Sequence, residues 1–129
     1  MTTKKPIAVD TSSMIAYLQG AKGDDVERIE QELENCNIIL PPVVLSELLS
    51  DAKLPKKVVD SLQLLPMMEI KKGYWQRVGE ARAKVLSKKL KARLADSLIA
   101  QICVDHKISL ITRDRDFKNF AKYCDLKLI

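Results

Sequence analysis

A chain of 129 residues is long enough for one domain with a single core, and 47% hydrophobic with 30% charged residues excludes a disordered or fibrous class. No apolar stretch approaches the roughly 20 residues that span a bilayer, and Met1-Thr2-Thr3-Lys4-Lys5 runs straight toward an apolar segment. Neither a membrane anchor nor a signal peptide is therefore expected. A net charge of +5 favours a polyanionic partner, and the dispersed Cys36, Cys103 and Cys124 form no C-x-x-C pair, so reduced thiols, buried or partly buried, in a cytoplasmic protein are expected.

The first predicted strand covers residues 6–10, where Pro6-Ile7-Ala8-Val9 closes on Asp10 and gives way to Thr11-Ser12-Ser13. An acid directly after a buried strand can cap a following helix. It can also serve a ligand at the strand's carboxyl end, and the two roles are compatible because different oxygens, or Ser12, can cap. Residues 24–35 carry Val26, Ile29 and Leu33 at helical spacing. A second strand, 37–40, is stopped by Pro41-Pro42, and proline is tolerated near a helix start. Helices at 43–52 and 56–64 are separated by Pro55. Glu47, within Leu45-Ser46-Glu47-Leu48-Leu49, shares a polar face with Ser46, Ser50 and Asp51, so periodicity alone makes it a solvated glutamate.

A short strand is predicted at 67–70, and Gly73 precedes a long helix at 74–90 with Trp75, Val78, Ala81 and Val85 on one stripe. Tyr74 and Trp75 read as core or dimer contacts rather than a base-stacking platform. Arg77, Lys84, Lys88 and Lys91 line another side of that helix, with Glu80 four residues before Lys84 offsetting part of the field. The side is either a solvated face or a stripe that tracks phosphates.

In the helix predicted at 93–106, successive residues turn by about 100°. Leu98, Ile99, Ala100, Ile102 and Cys103 sweep an apolar arc, and Ser97, Gln101 and Asp105 form the polar face. Asp96 falls inside the apolar arc, where an unpaired carboxylate is expensive. It needs a cation, a hydrogen-bond donor or the helix dipole. His106, the single histidine, suits surface or helix-end packing, which leaves histidine acid–base chemistry without support.

The strand at 108–112 ends on Thr112, whose hydroxyl can orient a carboxylate or water. It leads into Thr112-Arg113-Asp114-Arg115-Asp116-Phe117, where Asp114 suits a turn and Asp116 can cap a last helix at 117–123. A final strand is predicted at 126–129. Strands alternating with helices argue for a mainly parallel sheet covered on both faces. Ligands of such sheets bind outside the carboxyl ends of the strands, where Asp10 and Asp114 would both project. Carboxylates gathered there repel unless a hard divalent cation sits among them. Gly20, Gly23, Gly73 and Gly79 form no phosphate loop.

Asp10 after the first strand, Glu47 after the second, Ala95-Asp96-Ser97-Leu98-Ile99-Ala100 and Thr112-Arg113-Asp114-Arg115-Asp116-Phe117 together resemble the PIN domain. The likeness is to VapC-type toxin ribonucleases of prokaryotic toxin–antitoxin modules, and it covers essentially the whole chain. It implies a single domain over 1–129: an α/β, three-layer α/β/α sandwich with a central five-stranded parallel sheet. It also implies Mg²⁺- or Mn²⁺-dependent endoribonuclease activity, by metal-assisted hydrolysis of RNA phosphodiesters. Asp10, Glu47, Asp96 and Asp114 match the family's acidic quartet, and Asp116 matches an additional acid that often accompanies it. Asp10, Asp96 and Asp114 are assigned as ligands. Glu47 is a ligand, directly or through water, or positions the nucleophilic water. The resemblance further implies a homodimer held inactive by a cognate antitoxin. Two other classes stay open. One is a catalytically weak PIN-like module that binds RNA or protein. The other is a D-x-D phosphatase, although its acid pair should follow the first strand and Asp114-Arg115-Asp116 follows a late one.

Overall fold

A computed structural model describes residues 5–129; Met1–Lys4, on which the expectation of no signal peptide bears, lie outside the described residues. Ile7–Val9 forms β1, and all three side chains are buried. A strand is apolar throughout only when both faces are covered, and β1 is the middle strand of a parallel sheet. It pairs with β2 (Ile38–Ile39) through Ile7–Ile38 and Ala8–Ile39, and with β3 (Leu110–Ile111) through Ala8–Leu110 and Val9–Ile111. The sheet order is β2-β1-β3, so the chain leaves β1 toward one side and returns on the other. A crevice opens at such a reversal, beyond the carboxyl ends of β1 and β3.

Among the described residues the sheet has three strands, β2-β1-β3, rather than the five expected. The segments predicted at 67–70 and 126–129 each contribute one isolated parallel bridge, Met67 to Leu40 and Leu128 to Leu110. They occupy the two edges, where a strand has a partner on one side only. Met67 and Ile70 are exposed there, and only Met68 of that segment reaches the core.

The helices are α1 (Thr11–Leu18), α2 (Asp24–Glu34), α3 (Pro42–Leu49), α4 (Lys56–Gln63), α5 (Tyr74–Ser87), α6 (Leu94–His106) and α7 (Phe117–Tyr123). The sequence predicts no range for helix α1, although Asp10 reads as able to cap a helix at this point. Its residues have modest helix propensity, and it forms because Asp10 caps it and Met14 and Ala16 are buried beneath it. Helix α3 starts on Pro42, whose missing N–H is no loss in a first turn.

Helix α5 packs against α6, with the Tyr74 hydroxyl donating to the Leu98 carbonyl at 2.6 Å. Tyr74, Val78, Ala81 and Val85 form the buried stripe of α5, while Trp75 is 67% exposed; the expectation that Trp75 heads this stripe is corrected. The polar face expected on α6 is corrected as well. Ser97 and Gln101 are buried, because Arg77 on α5 grips Asp105 with two bonds of 2.9 and 2.7 Å and closes that side. His106 Nε2 lies 2.7 Å from the Glu69 carbonyl, the helix-end role expected of it. Cys103 is buried and Cys124 half-buried, but Cys36 is exposed, contrary to expectation. Among the described residues no helix is long and apolar enough to cross a membrane.

Candidate metal centre

Asp10 directly follows β1, and its side chain serves the site and the fold at once. It is 2% exposed, and its Oδ1 accepts from the Ser13 backbone N–H at 3.1 Å, capping α1. The Ser12 hydroxyl lies 3.1 and 2.8 Å from its two oxygens, and Thr112 Oγ1 donates to Oδ2 at 2.8 Å. Burial pushes the carboxyl above its ordinary range, these donors pull it back, and the Asp114 charge pushes it up again.

Thr112 joins two elements that are about a hundred residues apart. While its hydroxyl donates to Asp10, it accepts the Asp114 backbone N–H at 3.0 Å. Asp114 Oδ1 in turn accepts the Asp116 N–H at 2.9 Å, which tightens the turn after β3. The orienting role anticipated for Thr112 is therefore filled on both sides of the crevice.

Helix α6 enters the same crevice with its first turn. One oxygen from each of Asp96, Asp114 and Asp116 lies within 4.8 Å of the others. Asp96 is half-buried, and its Oδ2 is cut off from solvent with no hydrogen-bond partner. Burial raises its pKa to about 6, the Asp114, Asp10 and Asp116 charges add to the rise, and Arg93 opposes it. A buried carboxylate oxygen with nothing to bind is costly. An all-oxygen group that lacks a donor at its centre suits a hard divalent cation such as Mg²⁺ or Mn²⁺.

Asp116 sits at the cap position of α7, yet its side chain makes no capping bond. It faces Arg93 at 3.6 Å and Lys91 at 3.8 Å instead, so these two exposed cations border the acidic group. Of the proposed phosphate stripe, Arg77 is committed to Asp105 and the Lys88 ammonium lies 5.5 Å over the Tyr123 ring.

Glu47 is exposed on α3 and stands outside the close carboxylate group. Its Oε1 accepts from Thr11 Oγ1 at 2.6 Å, which holds it beside the residue that follows Asp10. Sequence reasoning did not single out Thr11 or Asp25. The Ser13 hydroxyl donates to Asp25 at 2.9 Å, and Arg113 holds the same carboxylate. An acid near the start of α2 carries no local sign that its partner lies 88 residues away.

An apolar groove opens between α1, α2 and α4, with a volume of about 380 Å³ and walls from Met14, Tyr17, Leu18, Leu33, Val58 and Leu62. A second apolar patch joins Pro41, Ile70, Trp75 and Leu98.

With this geometry, the family model of the PIN domain matches residues 7–123. The fold is similar to that of VapBC2 from Rickettsia felis bound to a DNA fragment from their promoter, at a TM-score of 0.70 and 22% identity over 95% of this chain and 96% of that one. It is also similar to VapBC-1 from nontypeable Haemophilus influenzae (TM-score 0.74, 16% identity, 95% and 96% covered). DNA-bound VapBC from Salmonella typhimurium is another neighbour (TM-score 0.73, 15% identity, 98% of each chain). No curated protein sequence matches the chain.

Proposed function

Because the chain belongs to the PIN domain family, we propose that it is a metal-dependent endoribonuclease, the toxin of a VapBC-type module acting in the cytoplasm. The observation that carries this reading is the partnerless Asp96 Oδ2, buried against the carboxylates of Asp114 and Asp116. Asp10, Asp96, Asp114 and Asp116 would hold Mg²⁺ or Mn²⁺, with Glu47 at the margin. When bound, such an ion makes water a better nucleophile and stabilises charge on the phosphate.

The chain's own residues supply orientation and substrate contact. Three side chains or backbone groups, Ser12, Ser13 and Thr112, fix the Asp10 carboxylate, so it need not reorganise when a phosphate arrives. Thr11 occupies Glu47 Oε1, and Oε2 is then available to accept a proton from an attacking water. Lys91 and Arg93 stand where the RNA backbone must approach, and both side chains are more than half exposed.

The antitoxin in this reading lays an apolar segment into the groove at Val58 and Leu62. An arginine of the same partner reaches the acidic group and inhibits by replacing the metal's charge. The exposed Trp75 patch would seat a second copy in a homodimer. Cleavage of labelled RNA tests the central claim. Activity is expected to require Mg²⁺ or Mn²⁺, to vanish with EDTA, and to be lost in Asp10→Asn, while Asp51→Asn on the exposed face beyond α3 leaves it intact. Cleavage at full rate after rigorous chelation overturns the reading.

A further inference from the structure

Arg113 lies between Thr112 and Asp114, yet its side chain turns away from the acidic group. Its Nε and Nη2 donate to Asp25 Oδ2 and Oδ1 at 2.7 and 2.9 Å, and Nη2 also reaches the Lys22 carbonyl at 3.1 Å. Asp25 is half-buried near the start of α2 and also accepts the hydroxyl of Ser13, a residue with 0% exposure. The Ser13 N–H donates to the Asp10 carboxylate that caps α1, and Asp10 also accepts from Thr112. These bonds close a ring: Asp10, Ser13, Asp25, Arg113 and back through the chain to Thr112.

The backbone is shaped around this ring. Gly23 holds φ +149°, and a Cβ there would stand 2.5 Å from Asp25 Oδ1 and 2.9 Å from Arg113 Nη2. A side chain at this positive φ would crowd both arms of the fork and push them out of place. A two-pronged guanidinium–carboxylate pair fixes direction as well as distance, which a single ammonium contact does not.

We propose that Asp25 and Arg113 are positioning residues, a clamp that sets the separation of the Asp10 and Asp114 turns and so the affinity of the acidic group for a divalent cation. This rests on the reading of that group as a metal centre. The clamp is partly open to solvent on the Arg113 side, and its fork fixes where the turn after β3 sits relative to α2. Its effect on the site is geometric: loosening it frees the turn after β3, beyond the last β1–β3 backbone bond, to shift against the end of β1, leaving the Thr112–Asp10 bond to hold the two side by side.

The test measures Mn²⁺ affinity by titration calorimetry alongside kcat and KM for RNA cleavage, on the full chain. Arg113→Met and Asp25→Asn are each expected to weaken Mn²⁺ binding about 10-fold or more, as loss of groups that orient metal ligands does. They should lower kcat with little change in KM, and the double variant should be no worse than either single one. Arg113→Lys, which keeps charge but loses the fork, should recover only part, and it replaces Arg113→Met if that variant does not fold. Lys56→Met, which breaks an exposed pair with Asp60 on α4, should change neither quantity. Unchanged Mn²⁺ affinity with a raised KM would overturn the clamp and make Arg113 an RNA contact; additive effects in the double variant would also overturn it. If the wild type binds Mn²⁺ and cleaves RNA while the variants match it, the clamp alone fails. If the wild type binds no Mn²⁺, the metal-centre reading fails and takes the clamp with it.

Discussion

Replacing Asp96 with asparagine should stabilise the protein in the absence of divalent cations, in a pH window set by that one carboxyl. Its pKa rises from 3.8 to about 6 in the fold, with burial as the largest cause. At about 1.36 kcal/mol per pKa unit, this corresponds to about 3 kcal/mol for a fully buried group. Asp96 is half-buried, so solvent on its open side screens the effect to roughly 1–2 kcal/mol. A raised carboxyl binds its proton more tightly folded than unfolded. The resulting stability is present in full below pH 3.8 and is lost as the pH rises through about 6. Asparagine never ionises. The two proteins should therefore be about equally stable near pH 4, and by pH 7.5 the variant should be ahead by that 1–2 kcal/mol. For a chain of this length the gap corresponds to roughly 3–8 °C in Tm. Urea denaturation at a series of pH values in EDTA measures it. Added Mn²⁺ should raise the Tm of the wild type in a dose-dependent way and do much less for the variant. A variant less stable than the wild type by the same amount at every pH would refute the reasoning, because Asp96 would then be a partner within the fold rather than an uncompensated charge.

Thr112→Val removes the hydroxyl shared by Asp10 and the Asp114 N–H. It should cost about 1–3 kcal/mol in urea denaturation and weaken Mn²⁺ binding; unchanged Mn²⁺ affinity would show that the bridge does not set the cleft. Val58→Glu puts a charge in the apolar groove between α1, α2 and α4. RNA cleavage should continue, but the antitoxin should no longer suppress it, and full suppression would place the partner elsewhere. Phe120→Ala empties a fully buried site packed against Phe117 at 6.3 Å between ring centres. A loss of about 3–5 kcal/mol is expected by chemical denaturation, and a loss under 1 kcal/mol would mean that the core closes around the gap.

Much of the architecture was legible along the chain because it is written in local patterns. Ile7-Ala8-Val9 is apolar without alternation, as a central parallel strand must be, and the helical stripe of Val78, Ala81 and Val85 repeats at the period of its own backbone. Asp10, Asp96, Asp114 and Asp116 each follow a strand or stand at a helix start, so their places in the order of elements could be read, whereas Glu47 lies late in α3. Asp96 betrayed itself by lying on an apolar arc, and among the described residues its Oδ2 is the buried side-chain oxygen without a hydrogen-bond partner.

What only the tertiary structure decided are the pairings between segments far apart in the chain. Tyr74 and Trp75 are neighbours of similar character, and periodicity points nearly as well to either. The Leu98 carbonyl chose Tyr74, whose hydroxyl it can accept, and left Trp75 to solvent. The α6 face of Ser97, Gln101 and Asp105 looked solvated until α5 brought Arg77 to it. The extent of helix α1 could not be read because its stability comes from the Asp10 cap and the burial of Met14, not from its residues' propensities. The same holds for the acids. The strand order β2-β1-β3 sets Asp10 and Asp114 side by side across 104 residues, groups Asp116 with Asp96, and leaves Glu47 at the margin on Thr11. A hydrogen bond or a shared cation acts over a few ångströms of space, and nothing in a residue's own neighbourhood along the chain records who will stand there once the sheet has closed.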